Sequence, residues 1–350
     1  MRILLIVNDI HFKGGGEKVA SNIASWYAEK GKQTYILSME KKQEKSIFPI
    51  SNKVNVDYLG VKNTKLISKL IVFFRLFKYL KKNQFDFILG IGTYANVLLG
   101  FLHFCCGEKI GCEHNSFDSV SLFWKVLRRL SYPRLDSTVI LTKEDFCKMK
   151  QISSKVYVIP NCISIPPQKA LLNNKNILAV GKIYPQKGFD IMIEVFNLFA
   201  KKNTDWTLTI VGDGKDKQKI ITLIKKYNLT NRVFIMKPTN NIEKYYLDTS
   251  LYLMTSRFEG LPMVLLEAQS YGIPIISFDC KTGPKEIVIH NRNGYLIREG
   301  DIENMVEYLH KYVNDYKLRM NLSKNARIDA KRFIPEEIYK LWDNLFKEKL

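Results

Sequence analysis

Short apolar runs alternate along this chain with longer stretches whose apolar positions recur every three or four residues. A short run closed by polar residues suits a strand buried on both faces, and the longer period suits the helices that cover it. The pattern predicts strands at Arg2–Val7, Gln33–Ser38, Val54–Tyr58, Phe85–Gly90, Lys109–Glu113, Ser137–Leu141 and Val156–Ile159. A polar, proline-interrupted stretch from Ile165 to Asn176 follows, after which the alternation restarts with strands at Ile177–Val180, Thr207–Val211, Val233–Met236, Leu251–Met254, Ile273–Ser277 and Gly294–Ile297. Helical periods fill the gaps, among them Glu17–Lys30, Leu66–Lys82, Tyr94–Cys105, Ser119–Tyr132, Pro262–Tyr271 and Pro335–Phe346. Alternation of this kind predicts α/β architecture with open parallel sheets. We expect two Rossmann-like doubly wound domains facing across a cleft, residues 1–165 and 177–334, with 166–176 as linker and 335–350 as a last helix.

In doubly wound sheets ligands sit at the carboxyl ends of the strands, so the loops that follow strands are the ones to read. In Ser256–Gly272, SRFEGLPMVLLEAQSYG, Glu259 and Glu267 bracket a Gly260-Leu261-Pro262 turn and a helix start. Pro262 suits the first helical position, which would leave the amides of Met263 and Val264 as donors at the positive end of a helix, a site for an anion. Apolar helical neighbours would take Glu267 out of water, and a sugar or ribose diol could supply the donors a buried carboxylate needs. The plainer alternative makes Glu259 a complement to the helix dipole and Glu267 a partly exposed helix residue.

Gly14, Gly15 and Gly16 open the first helix and would let backbone approach a phosphate or sugar; a flexible turn is the alternative. The G-x-G-x-x-G spacing of a dinucleotide fingerprint is absent there. His114 ends a strand within GCEHNSF, at the mouth of the expected cleft. Gly181 to Gly188, GKIYPQKG, carries Lys182 and Lys187 on one strand-to-helix loop, where two point charges could meet a pyrophosphate. Gly212 and Gly214 in VGDG permit close approach, and the 236–240 loop with Pro238 has backbone free to read a base edge; both are also ordinary turns.

Charge changes the picture more than composition does. The formal net charge is +20, more than solubility needs, which points to an anionic partner. Zinc-finger spacing, an RNP-like aromatic box and a free-standing helix-turn-helix are all missing, so nucleic acid fits less well than an anionic membrane. The stretch Lys62–Gln84 has seven basic residues, no acidic ones and a wide apolar set, unsuited to spanning a bilayer but suited to lying on one. A core helix with a basic edge is the alternative, and LFWKVLRRLSYPRL at Leu122–Leu135 repeats the theme. The six cysteines show no CxxC pair or framework spacing, which predicts a reducing compartment without a zinc site. MRILLIVN is too short an apolar run for a signal peptide. There is no Asp-x-Asp, Walker P-loop, G-x-S-x-G or HExxH, so charge on a leaving diphosphate would fall to lysines and helix amides.

Taken together, FEGLPMVLLEA with Glu259 and Glu267 eight apart, SFDCKTGPKEI, VGKIYPQKGFD, VGDG, GGGEKV and CEHNSF resemble the family 4 glycosyltransferases of the two-domain GT-B fold. The resemblance covers nearly the whole chain and is nearest to bacterial exopolysaccharide and capsule hexosyltransferases, the amylovoran type among them. It implies a retaining, metal-independent transfer of a hexose from a nucleotide sugar, with UDP-galactose, UDP-N-acetylgalactosamine and UDP-glucose as candidates, to a lipid-linked or glycan acceptor. Glu267 would hold the donor ribose hydroxyls and Glu259 the donor sugar. Lys182 and Lys187, with the amides after Gly260 and near Gly15 and Gly16, would neutralise the diphosphate, while His114 would lie by the transferred sugar. Members often have arginine where this chain has Lys182, which keeps the charge but not a bidentate contact. The first domain would take the acceptor, domain closure would complete the site, and the last helix would cross back to the first domain. A cytoplasmic enzyme on the inner face of the plasma membrane follows, with no cofactor and no nucleic acid. The rival readings are an inactive GT-B binding protein, a sugar-nucleotide epimerase-like relative and a basic nucleic-acid-binding protein.

Overall fold

The computed structural model describes residues 1–12, 14–40, 48–61 and 66–349. Lys62–Lys65 of the basic stretch therefore lie outside the described residues. Two units are resolved, Met1–Ile159 together with the chain from Trp342 on, and Pro160–Leu341.

The first unit holds β1 (Arg2–Val7), β2 (Gln33–Ser38), β3 (Asn55–Tyr58), β4 (Phe87–Ile91), β5 (Glu108–Cys112), β6 (Ser137–Ile140) and β7 (Val156–Val158), in the sheet order β3-β2-β1-β4-β5-β6-β7. The second holds β8 (Asn176–Val180), β9 (Thr207–Val211), β10 (Val233–Met236), β11 (Leu251–Met254), β12 (Ile275–Asp279) and β13 (Gly294–Arg298), ordered β10-β9-β8-β11-β12-β13. All these pairs are parallel, and in both sheets the central strands are covered on both faces, so Ile3 to Val7 and Leu251 to Met254 are buried end to end. That explains why these strands read as unbroken apolar runs rather than alternating ones.

Each sheet reverses direction once. In the first unit the chain runs outward from β1 and returns to its other side as β4; in the second it does the same between β8 and β11. The loops after β1 and β4, and after β8 and β11, thus flank the crevice where such sheets take ligands.

The stretch read as linker is not a bare connection. Ala170 and Leu172 are buried, the Ala170 amide donates to Tyr271 O at 2.9 Å, and Arg327 donates to Pro166 O at 2.6 Å. The change of unit falls earlier, at Pro160. The helix Pro335–Lys347 starts in the second unit and ends in the first, where Tyr27 donates to Asp343 at 2.9 Å and the Phe346 ring lies 4.4 Å from that of Phe87.

Candidate active site

In the second unit the sequence-predicted residues gather on the two loops that flank the switch point. After β8 the chain passes Gly181 and the exposed Lys182, makes a single 3-10 turn at Pro185–Lys187, and reverses at Gly188 with φ +62°. A side chain at Gly188 would meet Thr255 O at 2.1 Å, so only glycine lets the loops after β8 and β11 touch here. Arg257 clamps them, donating to both Asp190 oxygens at 3.0 Å, and its amide donates to Gln186 O at 2.8 Å. Burial raises the Asp190 carboxyl, but Arg257 and Lys219 outweigh it and hold the group down at about 2.

Held this way, Lys187 Nζ reaches Glu259 Oε1 at 2.6 Å. The sequence places these two charges on separate ligand groups; the structure makes them a pair. Glu259 is only 6% exposed, so removing that partner would strand a buried carboxylate. Its stem is fixed from the other side by the loop after β12: the Glu259 amide donates to Lys281 O at 3.2 Å and the Thr282 hydroxyl to Glu259 O. Thr282 has φ +57°, an unusual backbone for a β-branched residue, and next to it a side chain at Gly283 would meet Gly260 O at 2.0 Å.

The helix itself is Met263–Ser270, and here an expectation is corrected. Pro262 is not its first residue but its N-cap, in an extended conformation with ψ 96°. A proline offers no side-chain cap, and the amides of Met263 and Val264 have no acceptor among the described residues, so the donor-rich helix end expected from sequence is present one residue later. Leu261 is buried beneath the turn. Glu267 is partly rather than fully withdrawn from water, and the buried Tyr246 hydroxyl donates to its Oε2 at 2.8 Å, which orients the carboxylate. Ser256, also buried, has a hydroxyl without a partner among the described residues and lines a small recess with Lys187, Tyr252 and Val264.

The glycines after β9 serve another purpose than the one expected. A side chain at Gly212 would meet Gly181 O at 1.9 Å, and one at Gly214 would meet Ile183 O at 2.4 Å. The close approach they permit is that of the neighbouring loop's own backbone. Pro238, past the end of β10, is exposed.

The first unit collects the remaining residues. Gly15 and Gly16 start the helix Gly15–Glu29; a side chain at Gly15 would meet open space, whereas one at Gly16 would lie 3.3 Å from Ile91 and 3.8 Å from the His114 ring. Both His114 nitrogens are out of water with no partner among the described residues, and burial pushes its pKa down to about 4. The imidazole is therefore neutral near pH 7. Under it lies a buried network that sequence reasoning missed: Arg128 donates to Glu113 Oε2 at 2.5 Å and to Thr93 Oγ1 at 3.0 Å, and Tyr132 and Asn96 both donate to Glu113. Glu113 borders His114 in sequence, but its partners are 15 or more residues away, beyond any local pattern.

Among the described residues no group of three or more His, Cys, Asp or Glu is arranged to hold a metal ion, and no helix is long and apolar enough to cross a membrane.

Residues 164–329, which carry both switch-point loops of the second unit, match the family of Glycosyl transferases group 1. The amylovoran biosynthesis glycosyltransferase AmsD of Erwinia amylovora is 29% identical over 98% of this chain and 99% of its own length. A Campylobacter jejuni enzyme named N-acetylgalactosamine-N,N'-diacetylbacillosaminyl-diphospho-undecaprenol 4-alpha-N-acetylgalactosaminyltransferase is 28% identical over 86% of this chain and 82% of its own. Anabaena HepE, solved with UDP-glucose, superimposes with a TM-score of 0.80 at 19% identity over 99% of both chains, a likeness of fold. Residues 164–329 are a group 1 glycosyltransferase domain, set in a chain with the two-domain GT-B fold.

Proposed function

We propose that this glycosyltransferase moves a hexose from a UDP-sugar, with retention and without a metal ion, to a lipid-linked saccharide in surface polysaccharide synthesis. The observation that carries the reading is the second unit's switch point. There the two unclaimed amides of Met263 and Val264, the cation of Lys187 and the oriented carboxylate of Glu267 stand on adjoining loops. Amides and lysine suit a diphosphate, and a fixed carboxylate suits a ribose diol. Support for UDP comes from HepE, solved with UDP-glucose, and for a lipid-linked acceptor from the Campylobacter enzyme's name.

In this reading Glu267 holds the ribose, Glu259 the donor sugar, and Lys182 and Lys187 the diphosphate. The bond from the anomeric carbon to the β-phosphate oxygen breaks with its electrons leaving on UDP, and the acceptor oxygen bonds the same face of that carbon. The acceptor's proton goes to the departing phosphate. Lys187 gains a role in the electrostatics of departure, since Glu259 holds it in place before the charge develops. His114, neutral, offers one donor and one acceptor to sugar hydroxyls.

A lipid-linked acceptor would bring the protein to the inner face of an anionic membrane. Two adjoining helices of the first unit support this. On Leu66–Lys82, Val72, Leu76 and Leu80 are buried while Ile67, Leu70, Ile71 and Phe74 are exposed, so the helix has one core face and one exposed apolar face. On Leu122–Ser131, Leu122, Phe123, Val126 and Leu130 are exposed. Lys69 Nζ lies 5.6 Å from the centre of the Trp124 ring, which joins the two helices, and neither carries an acidic residue. Exposed apolar side chains among cations match an anionic bilayer.

The test is a panel of UDP- and GDP-sugars read by thermal stabilisation and calorimetry, since a ligand of the native state raises its melting temperature. A UDP-sugar should bind the wild-type protein, and Glu267→Ala should abolish that binding. Unchanged affinity in the variant would remove the ribose role, and stabilisation by GDP-sugars alone would overturn the donor assignment.

A further inference from the structure

The first unit carries unclaimed buried polar groups beyond His114. Thr142 and Asp145 lie on the loop after β6; both are buried, and neither Thr142 Oγ1 nor Asp145 Oδ1 has a partner among the described residues. On the first turn of the helix after β4, the Tyr94 hydroxyl is likewise withdrawn from water and unpartnered among them. Unpaired buried polar atoms are uncommon because each forfeits its hydrogen bond to water. Here they recur on three successive loops at one edge of one sheet.

The loops are cross-linked. Cys112 pairs with Val139, and the Glu113 amide donates to Val139 O at 2.9 Å, so the chain leaves β5 and β6 side by side. Asp145 spends its other oxygen, Oδ2, on the Phe117 amide at 3.0 Å, while Arg128 Nη1 donates to Phe117 O at 3.0 Å and Nη2 reaches Thr93 and Glu113. Thr93, Glu113 and Phe117 thus tie the neighbours of Tyr94, His114 and Asp145 into one frame, rigid enough to hold unpaired groups in place.

The chemistry of the free atoms narrows the ligand. A hydroxyl on Thr142, a phenol on Tyr94 and a neutral imidazole can each donate or accept, and Asp145 Oδ1 accepts. A phosphate would meet the Asp145 carboxylate, while of the cations among the described residues near it Arg128 is committed to Glu113 and Lys148 to Asp118 at 2.6 Å. An apolar ligand would leave every one of these atoms unpaired. Uncharged hydroxyl groups satisfy them all.

Resting on the transferase reading above, we propose that Thr142 and Asp145, with Tyr94 and His114, form a subsite for the hydroxyl groups of an uncharged saccharide acceptor, Asp145 Oδ1 accepting from one of them. Thr142 and Asp145 are then positioning residues that choose the acceptor.

The substitutions separate this from a structural role. Asp145→Asn keeps an oxygen for the Phe117 amide but puts an NH2 where the free acceptor was. Thr142→Val removes a hydroxyl that makes no bond among the described residues, so stability should hold or rise while binding falls. The probes are the methyl α- and β-glycosides of glucose, galactose, N-acetylglucosamine and N-acetylgalactosamine, read by saturation-transfer NMR in the presence of UDP, with UDP affinity and melting temperature measured on each protein. At least one glycoside should bind the wild type and weaken about tenfold in each variant, with UDP affinity unchanged. Binding of no glycoside to the wild type, or equal binding by all three proteins, overturns the subsite. Failure of UDP to bind at all refutes the donor reading instead and is seen separately.

Discussion

Lys187 Nζ and Glu259 Oε1 lie 2.6 Å apart, on loops that follow two different strands of the second sheet. Because Glu259 is buried, the pair ties the stability of the unit to the charges proposed to meet the donor. Lys187→Met should leave a buried carboxylate alone and cost about 3 to 5 kcal/mol in urea unfolding. Glu259→Gln made in the same chain should recover most of that loss. Turnover of the UDP-sugar should stay down by roughly 100-fold in both. A double variant that turns over like the wild type would reduce the pair to architecture.

Two glycines assigned to the donor from sequence should respond in opposite ways. Gly212→Ala would put a methyl 1.9 Å from Gly181 O, so it should lower stability by about 1 to 3 kcal/mol and weaken UDP binding through the displaced loop. Gly15→Ala meets open space, so its melting temperature should hold while donor binding or turnover falls. Equal loss of stability in the two variants, by thermal melting, would refute this division.

The buried imidazole of His114 makes stability depend on pH in a definite direction. Its pKa is about 4 in the folded protein against about 6.5 when exposed, so below 6.5 the unfolded chain binds the proton that the native one excludes. This contribution is full above pH 6.5, declines as pH falls toward 4, and is exhausted below it. His114→Gln should therefore flatten the melting-temperature profile between pH 4.5 and 6.5 relative to wild type. Parallel profiles would mean that the ring is solvated.

Vesicles of phosphatidylglycerol and phosphatidylcholine should retain the protein, and pure phosphatidylcholine should retain far less. Lys78, Lys81 and Lys82 all changed to Glu should weaken sedimentation with the anionic vesicles by about 100-fold or more, at roughly 1 kcal/mol for each lost cation. Leu122→Ser with Phe123→Ser should leave a weaker binding that salt removes. Donor hydrolysis should survive in both. Binding indifferent to both changes would point to another occupant of that surface, such as a second copy, visible by light scattering.

Which parts of this molecule show in its sequence follows from the range of the interactions. The central strands of both sheets are visible as apolar runs, because a parallel strand buried on both faces advertises itself within five or so residues, whereas the edge strand Asn55–Tyr58 has no buried residue. The helix start at Met263 is equally local, apart from the one-residue shift imposed by the extended backbone of Pro262. What could not be read is what holds the loops. Thr282 supports Glu259 from 23 residues away, Arg257 grips Asp190 across 67, and Arg128 reaches Glu113 across 15 from a helix that looks merely amphipathic. The pattern also leaves a glycine's purpose open: Gly212 and Gly15 look alike in sequence, and only the atoms around them tell packing from access.

The helix Pro335–Lys347 has a consequence for how the protein comes into being. The chain leaves the first unit at Ile159 and returns to it only at Trp342. Tyr27 and Phe87 thus wait for Asp343 and Phe346, which emerge from the ribosome after the whole second unit has been made. The second unit is continuous and can fold as soon as it is complete. The first cannot finish in order of synthesis, and its last step closes a loop that encloses the entire second unit.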